Sequence, residues 1–355
     1  MYLAVRLIAL GVLAALGIWY LGFSDTGIEP VAYEVSEDPG FTGRFAPNER
    51  LAVVEILDMG EEHGPEDIAV DADGTAWVTS EESGLWRLAD RQIERVGRLG
   101  GRPLGLEFGA DGGLYIADSY LGLLRWTEEG GSEVLADEYD GHPIRYANQV
   151  APADDGSVYF SVSTTRHDPE ALGGTLPSSV IDLWEHRTTG HVLRWREGAL
   201  DQVARGFSFA NGIALTPEED ALLIAETGSY RIWRLDLASG ERRVIVDALP
   251  GFPDNIQAQG DGTYWVGLVS PRRPIADRLA GYPFVRDVVW RLPEAVRPAP
   301  VHHGILMRID GEGEILDVLQ APQGEYSLVT GGVVIGETLY VTSLGADGVG
   351  VMDAP

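Results

Sequence analysis

Apolar and polar positions alternate in short bursts along most of the chain, each burst closed by Gly, Pro or Asp. The bursts recur in a common order. The copies read Glu66-Asp-Ile-Ala-Val before Asp73-Gly74, Leu104-Gly-Leu-Glu-Phe before Asp111-Gly112, and Asn148-Gln-Val before Asp155-Gly156. They continue with Asn211-Gly-Ile-Ala-Leu, Asp254-Asn255-Ile before Asp261-Gly262, and Thr330-Gly-Gly-Val-Val-Ile before Gly336. In four copies the turn Gly lies eight residues past the first position, while the Asn211 copy carries Pro-Glu-Glu-Asp there. An aromatic or β-branched strand follows each turn, as in Ala-Trp77-Val, Leu-Tyr115-Ile and Tyr264-Trp-Val. Strand, Asp-Gly turn and strand spell a β-hairpin. Six copies at comparable spacing spell a repeat architecture.

The pattern predicts an all-β chain folded as a six-bladed β-propeller over residues 49–355, each repeat supplying one four-stranded sheet. Residues 51–57 are a candidate outer strand for the last blade, which would close the ring. Two intervals, 163–191 and 270–303, are longer than the rest. Long insertions in a compact domain are more often functional than incidental, so they are expected either to roof the central channel or to be solvated excursions.

Ahead of the repeats, an apolar run covers residues 7–23, with Arg6 before it, Trp19 and Tyr20 near its far end, and Asp25 after it. That length is the lower limit for a bilayer-spanning helix, and interfacial aromatics sit where an anchor places them. The expectation is an N-terminal transmembrane or signal-anchor helix over 1–23, with the bulk of the chain extracytoplasmic. A cleaved signal peptide, giving a secreted protein, and a buried core helix are the alternatives. Residues 24–48 are read as a linker.

The net charge is −29, and all 26 basic residues are Arg. Phosphate backbones need clustered cations, so nucleic-acid binding is excluded as an expectation. There is no cysteine, which removes disulfides, thiolate nucleophiles and Cys-based zinc sites.

In a ring of blades the innermost strands start at one mouth, so equivalent first positions converge. These are Glu66, Leu104, Asn148, Asn211, Asp254 with Asn255, and Thr330. Two carboxylates and three amides form an all-oxygen set suited to Ca²⁺ and poorly suited to zinc. The bland alternative is that each Asn or Asp only makes a local turn. Equivalence across copies favours the metal.

Several stretches add a resemblance. Gly64-Pro-Glu66-Asp, Gly101-Arg-Pro-Leu-Gly-Leu, Leu-Tyr-Ile-Ala-Asp118-Ser-Tyr, Glu185-His-Arg-Thr-Thr-Gly190, Phe209-Ala-Asn211-Gly with Ala225-Glu-Thr-Gly-Ser-Tyr-Arg231, and Leu249-Pro-Gly-Phe-Pro-Asp254-Asn255 recur in order. Together they resemble the strictosidine synthase-like family, including its membrane-anchored animal members, which belongs with gluconolactonases and paraoxonases. The resemblance covers residue 64 to the C-terminus. It implies a calcium in the channel held by Glu66, Asn148, Asn211 and Asp254, with Asn255 beside it. Two positions depart from the family's enzymes. Leu104 stands where paraoxonase-type members carry a histidine, and Val329-Thr-Gly-Gly-Val-Val-Ile lacks the glutamate of strictosidine condensation. The alkaloid-forming reaction is therefore not expected.

The expected function is a calcium-dependent hydrolase of small-molecule esters or lactones. Asp254 would be a metal ligand and also base or nucleophile, and His142 a candidate channel-side base. The alternative is a non-catalytic cell-surface platform whose calcium is structural. His63, His167, His186 and His191 are weaker candidates, and the adjacent His302 and His303 point to opposite faces of a strand. Glu226 and Asp118 occupy matching places and are expected to bond across strands. Trp77, Trp126, Trp195, Trp233 and Trp290 are expected between blades.

Overall fold

The structure is a computed structural model. It describes residues 24–89 and 91–355, with positions 6, 10–12, 17, 19, 20 and 22 ahead of them. Most of the expected anchor helix lies outside the described residues. Positions 6, 10–12, 17, 19, 20 and 22 are helical, and among the described residues no helix is long and apolar enough to cross a membrane.

Six four-stranded antiparallel sheets form the blades of a β-propeller. The innermost strands are Ile68–Val70, Pro103–Phe108, Ala147–Pro152, Ala210–Leu215, Gly251–Ala258 and Val329–Ile335. The repeat register read from the sequence is the register of the sheets. Ile68, Leu106, Val150, Ile213 and Ile256 each pair with the apolar residue of the second strand, Val78, Ile116, Phe160, Ile224 and Val266. The turn glycines Gly74, Gly112, Gly156 and Gly262 all have φ between 75° and 83°. In the fourth copy Glu219 takes the same left-handed place at φ 53°, so the turn persists without its glycine.

The sixth blade takes its outer strand from the other end of the chain. Glu55–Asp58 pairs with Gly348–Asp353, Glu55 opposite Val351. This closes the ring and leaves no open sheet edge between first and last blades.

Adjacent blades bury their faces on each other. Trp77 meets Trp126 at 5.2 Å between ring centroids, and Trp233 meets Phe207 at 6.3 Å. Trp290, expected between blades, stacks on Trp184 in the roof at 6.5 Å, because its helix belongs to an insertion rather than a sheet. Glu226 and Asp118 bond across strands as expected. Glu226 accepts from the Ser208 N–H, Arg231 and Trp233, and Asp118 from the N–H groups of Arg102, Tyr120 and Leu121.

Both long intervals cover one mouth of the channel. The first contains helix α1 (Thr175–Glu185), and the second contains α2 (Pro274–Arg278) and α3 (Pro283–Trp290). Leu176, Val180, Leu183 and Trp184 fall on one side of α1 and line the space beneath it. The Trp184 indole N–H donates to the Arg286 carbonyl at 3.0 Å, and the Arg286 guanidinium donates back to the Trp184 carbonyl at 2.6 Å.

Residues 24–48 lie across these helices as a strap. The Val31 N–H donates to the Glu185 carbonyl at 2.9 Å, and Arg272 donates to the Ser36 carbonyl at 2.7 Å. Tyr33 stacks on His186 at 3.4 Å.

Candidate functional site

Under the roof is a cavity of about 150 Å³. Leu104, Tyr146, Phe209, Phe252, Val269 and Leu328 are among its walls, with the apolar side of α1 above. Its floor is polar and carries Glu66, Asn148, Asn211 and Asp254, each buried at 4–5% exposure. Four residues picked from equivalent repeat positions thus share one floor, although 188 positions separate Glu66 from Asp254.

The floor amides are oriented by their neighbours. Thr227 Oγ1 donates to the Pro253 carbonyl at 2.7 Å, so it accepts from Asn211 Nδ2 at 3.1 Å. Asn211 Nδ2 also donates to Asp254 Oδ1. Asn148 Nδ2 donates to Ser163 Oγ at 2.9 Å. With both N–H ends engaged, Asn148 Oδ1 and Asn211 Oδ1 are buried without a hydrogen-bond partner. Buried acceptors of this kind are normally satisfied.

Asn255 sits beside this floor and not on it. Its Nδ2 donates to the Glu66 carbonyl at 3.0 Å, and its Oδ1 is also unpartnered. Thr330 Oγ1 donates to the same carbonyl at 2.7 Å. The adjacent Asp67, fully buried, accepts from Gln149 Nε2 at 2.8 Å and from Gln257, which ties the first, third and fifth inner strands together.

Sequence reading missed Arg102. Its guanidinium donates to Glu66 Oε2 at 2.8 Å, both side chains being buried. The signal was the Gly101-Arg-Pro stretch just ahead of the second inner strand, but nothing local says that an arginine there crosses to the first blade. Burial pushes the Asp254 carboxyl well above its usual range, and the Glu66 charge adds to this. Burial also raises Glu66, against the pull of Arg102.

The floor needs close strand approach. A Cβ on Gly212 would come within 2.3 Å of the Asp254 carbonyl and 2.5 Å of the Ile256 nitrogen. Glycine is what lets the fourth and fifth inner strands meet at Asp254.

The histidines are placed elsewhere. His142 is exposed on a two-stranded hairpin, paired with Tyr139, and does not line the cavity. Asp140 and Gly141 have φ of 52° and 76°, a tight turn that carries the strand end outward. The structure thus corrects its reading as a channel-side base. His63 pairs with Glu82 at 2.9 Å on the surface. His167 bonds Glu185 at 2.9 Å within the first insertion. His186 packs under Tyr33, and burial pushes its pKa down to about 3. His303 bonds Gln320 at 3.1 Å under Phe41.

Among the described residues no group of three or more His, Cys, Asp or Glu is gathered as a metal set. The floor holds only two carboxylates, and its other oxygens are amides.

Fold and site together define a closed six-bladed β-propeller with an oxygen-rich floor under an apolar roof. The SMP-30/gluconolactonase/LRE-like region model matches residues 76–276, and the strictosidine synthase-like N-terminal model matches residues 43–88. The chain belongs to this SMP-30/gluconolactonase, strictosidine synthase-like family. It is 35% identical to the Arabidopsis thaliana protein strictosidine synthase-like 13, over 64% of this chain and 58% of that protein. It is 28% identical to the adipocyte plasma membrane-associated protein of Bos taurus, over 85% of this chain and 78% of that one. A gluconolactonase from Xanthomonas campestris has the same fold at TM-score 0.60 and 17% identity, covering 92% of this chain and 98% of that one. The calcium-binding regucalcin from Agrobacterium tumefaciens has it at TM-score 0.58 and 16% identity, covering 84% and 93%.

Proposed function

We propose that the chain is a calcium-dependent hydrolase of esters or lactones, anchored to a membrane by its N-terminal apolar run with the propeller outside. The observation that carries the calcium is the pair of buried, unpartnered amide oxygens on Asn148 and Asn211 beside the carboxylates of Glu66 and Asp254. A buried carbonyl without a partner costs about 1–3 kcal/mol, and two on one floor are offset together by a hard cation. The donor set is all oxygen, as calcium prefers. Glu66, Asn148, Asn211 and Asp254 would hold the ion, with Asn255 behind them. Relatives named for gluconolactone hydrolysis and for calcium binding support the reading, and those named for plasma-membrane association support the anchor.

Bound there, calcium supplies a Lewis acid for the substrate carbonyl and charge for the developing oxyanion. The chain's own residues do the rest. The Asn211 amide fixes Asp254 through Oδ1, leaving its other oxygen either to take a proton from the attacking water and return it to the departing alkoxide, or to attack the carbonyl itself, displace the alkoxide and be released when water cleaves the acyl-enzyme. Arg102 pins Glu66 as a ligand and offsets part of the floor's negative charge. The apolar walls hold the organic portion of the substrate and exclude bulk water. Leu104 offers no proton acceptor, so the acid–base work falls on Asp254.

The test is turnover of aryl esters and of γ- and δ-lactones by the full chain, with calcium and with chelator. Asp254→Asn is expected to bind calcium and lose most turnover. Full turnover in chelator, or in that variant, would remove the metal or Asp254 from the chemistry.

A further inference from the structure

The two roof insertions carry an apolar rim that the rest of the propeller lacks. From residue 24 onward, eleven large apolar side chains are exposed among the described residues, and seven sit on these insertions. Leu172 and Leu176 belong to the first insertion. Ile275, Tyr282, Phe284, Val285 and Val296 belong to the second, Phe284 at 66% exposure. The other four, Val53, Ile56, Val134 and Leu316, are scattered over the body. The rim adjoins the cavity. Leu176 lines it, and Ile275 is next to the lining residue Ala276. Exposed large apolar side chains gathered in one place mark an interaction surface.

Two further observations say what covers it. The first is charge. The second insertion, residues 270–303, holds six Arg against two Asp and one Glu, a net +3 within a chain of −29. The first, residues 163–191, holds two Arg against four acids, so the basic strip is the second insertion's part of the rim. Asp277 and Asp287 are engaged by Arg272 and Arg291. Arg273 is half-buried and Arg278 exposed, and among the described residues neither joins an ion pair. The second is where the apolar N-terminal run enters the body. Arg291, just past α3, donates through Nε to the Ser24 carbonyl at 3.0 Å, and Thr26 Oγ1 donates to Asp287 on α3 at 2.6 Å. Ser24 and Thr26, which follow the apolar run in sequence, are thus held on the rim, and Trp19 and Tyr20 are exposed at 59% and 51%.

We propose that this rim is a membrane-docking face, seated on an anionic phospholipid bilayer with the mouth of the cavity toward the lipid. Aromatic and aliphatic side chains beside arginines are the composition of an interfacial segment. Anionic headgroups attract such a basic strip where the rest of this acidic protein is repelled. Substrate then enters from the lipid phase, past α2 and α3, without crossing water. The docking does not depend on the hydrolase reading.

The chain has no cysteine, so Phe284→Cys and Val134→Cys each accept one nitrobenzoxadiazole label. The labelled full chain is reconstituted into phosphatidylcholine vesicles carrying doxyl-lipid quencher, with or without phosphatidylserine. The label at 284 is expected to be quenched several-fold more than the label at 134, and more strongly with phosphatidylserine. Adding Arg273→Glu and Arg278→Glu is expected to cancel the phosphatidylserine increment. Equal quenching at both positions, or none at 284, overturns the docking face. Quenching indifferent to phosphatidylserine and to the charge reversals overturns the anionic bilayer as its partner. A label at 284 shielded in detergent, with the mass of a dimer by light scattering, assigns the rim to a second copy and overturns the proposal.

Discussion

Replacing Asn148 with leucine would separate the proposed metal from the fold. In wild type the Asn148 carbonyl oxygen is buried and unpartnered, while its amide N–H is bonded to Ser163 at 2.9 Å. Asn148→Leu removes that bond, worth about 1 kcal/mol, and relieves an unsatisfied acceptor costing about 1–3 kcal/mol. The new side chain meets a cavity already walled by Leu104, Tyr146 and Phe209. Without calcium the variant should therefore be as stable as wild type or slightly more so. With calcium the order reverses. At a hundredfold excess over Kd, wild type gains about 2.7 kcal/mol. A ligand loss that weakens binding ~100-fold, the upper effect of even outer-shell partners, leaves the variant a gain of about 0.4 kcal/mol. For a domain of this size the difference is roughly 3 °C in Tm. Thermal unfolding of both proteins in chelator and in saturating calcium reads it. A variant that loses several degrees in chelator, or that calcium raises as far as wild type, refutes the reasoning.

Gly212→Ala should cost about 3 kcal/mol and abolish calcium-dependent stabilisation, because its Cβ would enter the backbone at Asp254 and Ile256; a denaturant titration with and without calcium checks this. His186 gives a pH signature. Its folded pKa is about 3, pushed down by burial, so below about pH 6.5 the unfolded chain takes a proton that the folded chain refuses, and stability falls with pH. His186→Phe keeps a ring against Tyr33 and removes that loss, so between pH 7.5 and pH 5 it should gain about 2 kcal/mol on wild type; an unchanged difference between the two proteins would contradict it. Asp254→Asn, under turnover assay, should keep calcium-dependent stabilisation while losing hydrolysis.

The blades were legible because their signals are local and repeated. Strand, turn and strand are written within about ten residues in each copy, and even the glycine-free turn at Glu219 follows the count. The floor was legible for the same reason, since a propeller converts equal repeat positions into spatial neighbours. What escaped detection depends on contacts between distant segments. Arg102 reaches from the second blade to Glu66 on the first, and residues 24–48, which read as a linker, are held by arginines of the last insertion. Such partners lie 36 and 236 positions away and leave no periodic trace. The first insertion did carry a usable sign. Leu176, Val180, Leu183 and Trp184 follow helical spacing, which predicts α1 and its cavity-facing side. His142 misled because closeness in sequence to Asn148 says nothing about direction, and a two-residue turn at Asp140 and Gly141 sends it to solvent.

The central claim is that four oxygens from four blades hold one calcium ion at the cavity floor. A crystal grown in calcium tests it most directly, read from the anomalous difference map. The account predicts one peak within about 2.3–2.6 Å of oxygens from Glu66, Asn148, Asn211 and Asp254. A floor without a peak at saturating calcium, or an ion bound away from the two asparagine oxygens, would contradict it.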